Sequence, residues 1–358
     1  MTNPLADDLD HVLAHTSGLW DELRGARVFV TGGTGFFGCW LLESFLWAND
    51  HLKLEASVVV LTRDGRAFAK RVSHLASHPA VTLRDGDVRT FELTDDEFSH
   101  VIHAATDARA AVSPRDRLLV FDTIVDGTRR TLEFARRSRA RRFLLTSTGA
   151  VYGRQPAELT HVSEEYAGGP DPADPAQAGA EAKRLAEMLC AMYADANLKP
   201  TIARCFAFVG PYLPLDAHFA AGNFIRDGLQ GGPIRISGDG TPYRSYLYAA
   251  DLAIWLWTIL LRGQSMRPYN VGSEAAIPIA FTISLSLSFM SRPAAIAPPK
   301  VPVRPGAWKP LRSREFPAAT PIRDIASQAA TNAVSNDLPS AFFSSAIANA
   351  GRNAVAPG

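Results

Sequence analysis

Residues 27–38 read Arg27-Val28-Phe29-Val30-Thr31-Gly32-Gly33-Thr34-Gly35-Phe36-Phe37-Gly38. Three consecutive apolar residues, Val28 to Val30, suit a strand buried on both faces, the habit of a parallel sheet. The glycines behind them suit a tight turn opening a helix, predicted here over Phe36 to Ala48. A side chain at Gly32 would block that turn, one at Gly35 would keep a pyrophosphate off the backbone, and one at Gly38 would hold helix and strand apart. The unpaired N–H groups and positive dipole end of the helix add an attraction for phosphate.

Outward from this stretch, strands and helices alternate. Residues 5–24 place Leu5, Leu9, Val12, Leu13 and Leu19 at mostly helical spacing, predicting one or two amphipathic helices before the first strand. Further strands are predicted at Ala56 to Leu61, Val81 to Leu83, Val101 to Ala105 and Arg142 to Thr146, with a helix from Leu118 to Arg137. That rhythm predicts an α/β fold, a doubly wound parallel sheet with right-handed crossovers. Beyond a Pro-, Gly- and Asp-rich loop at Gly168 to Pro175, a helix is predicted over Ala180 to Ala194, then an apolar strand with Ile202 and Phe206. Phe219 to Leu229 and Tyr246 to Leu261 read as helices flanking a turn at Gly238-Asp239-Gly240. The resulting division is a helical extension at 1–25, a dinucleotide-binding domain at 26–200, an interleaved substrate-binding region at 201–280 and an atypical tail at 281–358.

In that tail periodicity fails, and ten of the 24 prolines fall after position 290. A loosely packed lid, a disordered segment and an altered reading frame near residue 280 all produce such a pattern. The whole chain, 358 residues with formal charge +1, is long enough for a large core and has no global field to recruit nucleic acid or an anionic membrane. Arginines at 129, 130, 136, 137, 139, 141 and 142 interleave with Leu132 and Phe134, which reads as a solvated or subunit-facing helix surface. Cys39, Cys190 and Cys205 are odd in number and widely spaced, so neither a disulfide frame nor a metal site is expected. The start is acidic without an apolar signal core, and the apolar stretch Leu252 to Leu261 is too short for a bilayer. A soluble, cytoplasmic protein is expected.

Several motifs in shared order now carry a resemblance. Thr31 to Gly38 is followed by Val101-Ile102-His103-Ala104-Ala105, then Thr146-Ser147-Thr148-Gly149-Ala150-Val151-Tyr152-Gly153. Arg204 to Pro211, Gly238 to Asp251 and Tyr269-Asn270-Val271-Gly272 complete the series. From residue 26 to about 275 the chain resembles the extended short-chain dehydrogenase/reductases, in particular the nucleotide-sugar epimerase/dehydratase family. The resemblance implies a Rossmann-type sheet, a smaller C-terminal substrate-binding region, a nicotinamide dinucleotide cofactor, a nucleotide-activated sugar as substrate and a homodimer. Gly32, Gly35, Phe36, Phe37, Gly38, Asp87, Val88, Ala104 and Ala105 match cofactor-binding positions. At the end of the second strand, an acid usually receives the ribose 2′-hydroxyl of NAD, whereas an arginine suits the 2′-phosphate of NADP. Leu61 is followed by Thr62 and Arg63, which favours NADP over NAD, although Asp64 stands within reach of a ribose.

In this family a Tyr phenolate takes the proton of a sugar hydroxyl while hydride leaves the carbon, usually C4. A Lys lowers the Tyr pKa and holds the nicotinamide ribose, and a Ser or Thr orients the sugar oxygen. Thr148 and Lys183 match the hydroxyl and Lys positions, but the Tyr position, one helical turn before Lys183, is Gly179. Glycine supplies no proton acceptor. Neither Tyr152 nor Tyr166 has the spacing to replace it. A disabled relative, an enzyme with a substitute base or water, and a sequence error are the three readings this leaves. Gly149 and Ala150 replace the acidic pair that 4,6-dehydratases need, so epimerisation, 4-keto reduction or oxidative decarboxylation fit better than dehydration. Asn223 and Arg244 match positions that contact the nucleotide diphosphate, while Ala207 stands where many relatives carry a supporting Asn. A non-catalytic dinucleotide-binding protein is the rival function.

Overall fold

A computed structural model describes residues 3–106, 113–217, 219–231, 233–234 and 240–279. The chain opens with α1 (Ala6–His15) and a 3-10 turn at Trp20–Leu23, followed by β1 (Arg27–Thr31), α2 (Phe36–Leu52) and β2 (Ser57–Thr62). Two short helices, α3 (Gly65–Arg71) and α4 (Ser73–Ala76), lead to β3 (Val81–Asp85), β4 (His100–His103), α5 (Pro114–Arg137) and β5 (Arg142–Thr148). Next come α6 (Ala178–Tyr193), β6 (Lys199–Cys205), β7 (Ala207–Val209), α7 (Ala220–Leu229), β8 (Tyr243–Arg244) and β9 (Tyr246–Tyr248). The last described elements are α8 (Ala249–Arg262), β10 (Pro268–Val271) and β11 (Ile277–Pro278).

These elements fall into two units. One runs to Phe206 and resumes at Leu252–Val271; the other takes Ala207–Asp251 and continues from Gly272. In the first, seven strands form one parallel sheet in the order β10-β6-β5-β4-β1-β2-β3. The order reverses at β1, the switch point beyond whose carboxyl end open α/β sheets bind ligands. This is the Rossmann-type α/β fold expected of the sequence. β1 pairs Val28 with Val58 of β2 on one side and His100 of β4 on the other. Its residues from Val28 onward are buried, as the continuous apolar run requires. Phe29 lies at the centre of an aromatic cluster, its ring 4.3 Å from Phe134 and 5.4 Å from Phe98. On the other face Trp257 of α8 packs 5.1 Å from Trp20 and donates its indole N–H to Ser44 of α2 at 2.9 Å.

Element boundaries differ from expectation for local reasons. α5 starts at Pro114 rather than Leu118 because Ser113 and Asp116 form a reciprocal capping box with Pro in the first turn. α2 continues past Ala48 to Leu52 and stops where Lys53 takes a left-handed φ of 51°. Tyr246–Tyr248, predicted as the start of a helix, is instead β9, paired with β7 in the second unit. The arginine-rich run lies on a solvated surface, where Arg137 pairs with Asp95 and Arg139 with Glu97, both at 2.6 Å. The tail at 281–358 lies outside the described residues, as do Gly238 and Asp239 of the predicted turn.

Candidate functional site

β1 delivers Thr31 to the carboxyl end of the sheet, and the chain reverses at once through Gly32, whose φ is 73°. A Cβ on Gly32 would sit 2.5 Å from the backbone of Ala104, so Ala104 and Ala105, just past β4, close the back of the turn. A Cβ on Gly38 would meet the Gly33 backbone at 2.3 Å, the close helix–strand approach expected of that position. Gly35 differs. Nothing lies nearer to its hypothetical Cβ than the Gly32 carbonyl oxygen at 3.4 Å. Gly35 is exposed, its N–H donating to the Gly32 carbonyl at 3.1 Å and its Cα side left open. No side chain caps α2, and its first turn, with half-buried Phe36 and Phe37, carries no acid. A bare helix start over an open glycine is the cradle that a dinucleotide pyrophosphate fits.

The two glycines should separate by experiment. Gly38→Ala should cost about 1–3 kcal/mol in urea denaturation because backbone must move. Gly35→Ala should leave stability within about 1 kcal/mol and weaken dinucleotide binding by about ten-fold or more, read by nicotinamide fluorescence. Equal binding by Gly35→Ala and the unchanged chain would remove Gly35 from the site.

His103 braces the turn from beneath. Its Nδ1 is hydrogen-bonded to Thr31 Oγ1 at 2.7 Å and its Nε2 to Thr128 Oγ1 at 3.0 Å. Burial, with a smaller contribution from the Lys183 charge, pushes the imidazole down to about 3, so it is neutral.

At the next strand ends, Thr62 is buried and Arg63 exposed. The Asp64 carboxylate accepts the Ala67 N–H at 2.8 Å and so caps α3. Asp85 accepts the Gly65 N–H at 2.9 Å. Asp87 binds Arg89 through both oxygens, at 2.9 and 2.8 Å, which holds its carboxyl below the usual range, with Arg63 adding to the effect. Val88 is buried against Gly127. Arg71, at the end of α3, donates to the Thr34 carbonyl and stands 4.0 Å from Cys39 Sγ. Sequence reasoning missed Arg71, because nothing in the spacing shows that α3 turns its last residue back over the glycine turn.

Thr148 ends β5 half-exposed, and its Oγ1 accepts the Ala150 N–H at 3.2 Å, capping a 3-10 turn over Gly149–Tyr152. Lys183 is buried on α6 and donates Nζ to the Thr146 carbonyl at 2.6 Å, two residues short of Thr148. Burial lowers its ammonium to about 8. At Gly179 the nearest atom to an added Cβ is Val120 Cγ1 at 3.7 Å, ordinary contact distance. Packing therefore does not demand glycine there.

The Tyr152 phenol is committed elsewhere. Tyr152 donates its hydroxyl to Asn270 Oδ1 at 2.7 Å and accepts Arg204 Nη1 at 2.9 Å, and burial pushes its pKa up. Arg204 pairs with Glu187 at 2.7 Å, and Glu187 accepts Ser147 Oγ at 2.6 Å. This network was not foreseen either; only the i+4 spacing of Glu187 from Lys183 hinted that both face the sheet. A Cβ at Gly149 would lie 2.6 Å from the Phe206 ring, so an acid there would have to displace an aromatic side chain.

In the second unit, Asn223 on α7 accepts Arg226 Nη1 at 3.2 Å. Arg244 is exposed on β8, opposite Ile277, and donates to the Tyr243 carbonyl at 2.7 Å. Among the described residues no cluster of His, Cys, Asp and Glu has the makings of a metal site, and no helix is long and apolar enough to cross a membrane. The three cysteines are buried thiols, with Cys39 and Cys205 pushed up to about 12 by burial.

Comparison with known proteins agrees with the fold. UDP-glucuronic acid decarboxylase 2 of Arabidopsis thaliana is 32% identical over 252 residues, 70% of this chain and 54% of that protein. The chain thus spans about half the length of the first curated relatives it matches. UDP-glucuronic acid decarboxylase 6 of the same plant is 30% identical over 249 residues, 69% of each chain. Among solved structures, a UDP-glucuronic acid 4-epimerase from Bacillus cereus, in complex with UDP-glucuronic acid and NAD, superposes with a TM-score of 0.63 at 23% identity. That match covers 75% of this chain and 84% of the epimerase. A dTDP-glucose 4,6-dehydratase from Streptomyces venezuelae gives 0.64 at 23% identity, over 74% and 81%. Both share the fold. The model of the NAD dependent epimerase/dehydratase family matches residues 28–272, from β1 to just past β10, and the chain belongs to that family.

Proposed function

We propose that this chain binds a nicotinamide dinucleotide along Gly32–Gly38 and a nucleotide-activated sugar through Asn223 and Arg244, and that it turns the sugar over slowly because position 179 carries no base. The observation that carries this reading is Gly179 itself, a glycine that packing does not require, while the Tyr152 hydroxyl is already engaged by Arg204 and Asn270. When bound, the cofactor supplies a hydride acceptor for a sugar carbon, C4 in the family pattern. Thr148 keeps a hydroxyl proton to offer the sugar oxygen while its lone pair caps Ala150. Lys183 holds a positive charge beside the end of β5. What is missing is an acceptor for the sugar hydroxyl proton, worth about 10²- to 10⁴-fold in rate. The chain then serves as a binder, a sensor or a partner subunit rather than a fast epimerase or decarboxylase.

UDP-glucuronic acid is the sugar nucleotide to try first, because it is named for both the decarboxylase relatives and the Bacillus epimerase. NADP is favoured over NAD by Thr62 and Arg63 at the end of β2. A homodimer is supported by Leu185, Met188 and Met192, an exposed apolar stripe along α6. Three free, buried thiols suit the reducing cytoplasm.

Calorimetric titration with both dinucleotides and with UDP-glucuronic acid tests the reading. We expect saturable binding of cofactor and sugar nucleotide, and reduced nicotinamide accumulating far below one equivalent per turnover time of an active relative. Absence of dinucleotide binding, or brisk turnover by the unmodified chain, would overturn it.

A further inference from the structure

We infer that Arg71 is the residue that selects the 2′-phosphate of a dinucleotide bound at the glycine turn, acting with Arg63 across the ends of β1 and β2. The inference rests on the dinucleotide-binding reading above and deepens its preference for NADP. The acids at this edge of the sheet are already engaged. Asp64 caps α3 through the Ala67 N–H, Asp85 holds the Gly65 N–H, and Asp87 is clasped by Arg89. The position that would offer a carboxylate to a ribose hydroxyl is Thr62, whose own oxygen accepts the Asp64 N–H at 3.3 Å.

The cations stand differently. Arg71 reaches from the far end of α3 to the Thr34 carbonyl, in the middle of the glycine turn, and to the Cys39 sulfur in the first helical turn beyond it. The guanidinium thus touches a carbonyl and a thiol held neutral by burial, neither of which is a counter-ion. Arg63 is exposed, near enough to Asp87 for its charge to act there. The Asp64 cap and the Asp85 bond to Gly65 fix the start of α3, and thereby the direction in which Arg71 returns. A fork of N–H donors on this side of the turn meets the adenosine ribose, where a phosphate dianion gains charge-assisted bonds and a bare hydroxyl does not.

Binding of 2′,5′-ADP and of 5′-AMP, which differ in the 2′-phosphate, measures this directly, alongside NADPH and NADH, in the full chain and in Arg71→Ala, Arg71→Lys and Arg63→Ala. We expect the unchanged chain to bind 2′,5′-ADP and NADPH more tightly than their counterparts. Arg71→Ala should lose about ten-fold or more for the 2′-phosphorylated ligands and stay within about two-fold for 5′-AMP and NADH. Arg71→Lys should recover part of the loss, since it restores charge without the fork. Thermal melts of each variant check folding. A parallel loss for both ligand classes would make Arg71 a brace of the turn and overturn the inference. An unchanged ratio in Arg71→Ala, with NADPH still preferred, would overturn Arg71 alone and leave the NADP preference standing. Tighter NADH than NADPH binding by the unchanged chain would overturn both, and no binding of any dinucleotide would overturn the reading beneath them.

Discussion

Gly179→Tyr should raise hydride transfer from UDP-glucuronic acid by about 10²- to 10⁴-fold over the unchanged chain, followed as reduced nicotinamide in single turnover. The site is otherwise furnished. Lys183 lies one helical turn further along α6 and is fixed to the Thr146 carbonyl, so its charge is at hand to favour a phenolate. Its own ammonium is brought down to about 8 by burial, and the activity of the variant should fall as Lys183 loses its proton above that pH. The first atom of a new side chain at 179 meets only Val120, at 3.7 Å, so the substitution starts without a backbone clash. Gly179→Phe is the control: it fills the same space without an oxygen and should leave turnover unchanged. Equal gains in Tyr and Phe variants would mean that packing, not proton transfer, limits the chain. High activity before any substitution would assign the base to another group and end the present division of roles.

How much of this was legible beforehand follows from the physics of each feature. The glycine turn, the sheet and the place of Gly179 depend on local pattern: a period of two or continuous apolar runs for strands, fixed spacing on a helix, and backbone positions where a Cβ does not fit. Gly38 shows the point, since its hypothetical Cβ lies 2.3 Å from Gly33. What was hidden depends on tertiary placement. The Tyr152–Arg204–Glu187 network joins residues on a loop, a strand and a helix, and no spacing announces it. Arg71 is one cation among several in α3 until the helix direction is known. The sequence of β9 reads as helix because Tyr246-Leu247-Tyr248 runs directly into the apolar helix behind it, without a capping residue between them.

Acid should unfold this protein early, and two histidines of β4 are the reason. Burial pushes His103 down to about 3 and His100 to about 4, the charges of Arg141 and Arg142 assisting at His100. Both are neutral in the fold, whereas in the unfolded chain each takes a proton near pH 6.5. Between those limits the unfolded state binds more protons, so stability falls as pH drops below about 6.5. From pH 7 to pH 5 each histidine should remove about 2 kcal/mol, or about 4 kcal/mol together. His74 works in the opposite sense. Its hydrogen bond to Glu43 raises its pKa, so its contribution is fully present below about 6.5 and fades only as pH rises through the raised value. It therefore adds nothing to the acid lability. Urea denaturation of the full chain at pH 7 and pH 5 should show the loss, and His103→Asn should be less stable at pH 7 yet lose about 2 kcal/mol less over the interval. An unchanged pH slope in both His103→Asn and His100→Asn would locate the acid sensitivity elsewhere. His103 holds Thr31 immediately before Gly32, so the acid-sensitive strand end is the one that carries the glycine turn. A bound dinucleotide should consequently protect against acid, by an amount that grows with its concentration over Kd.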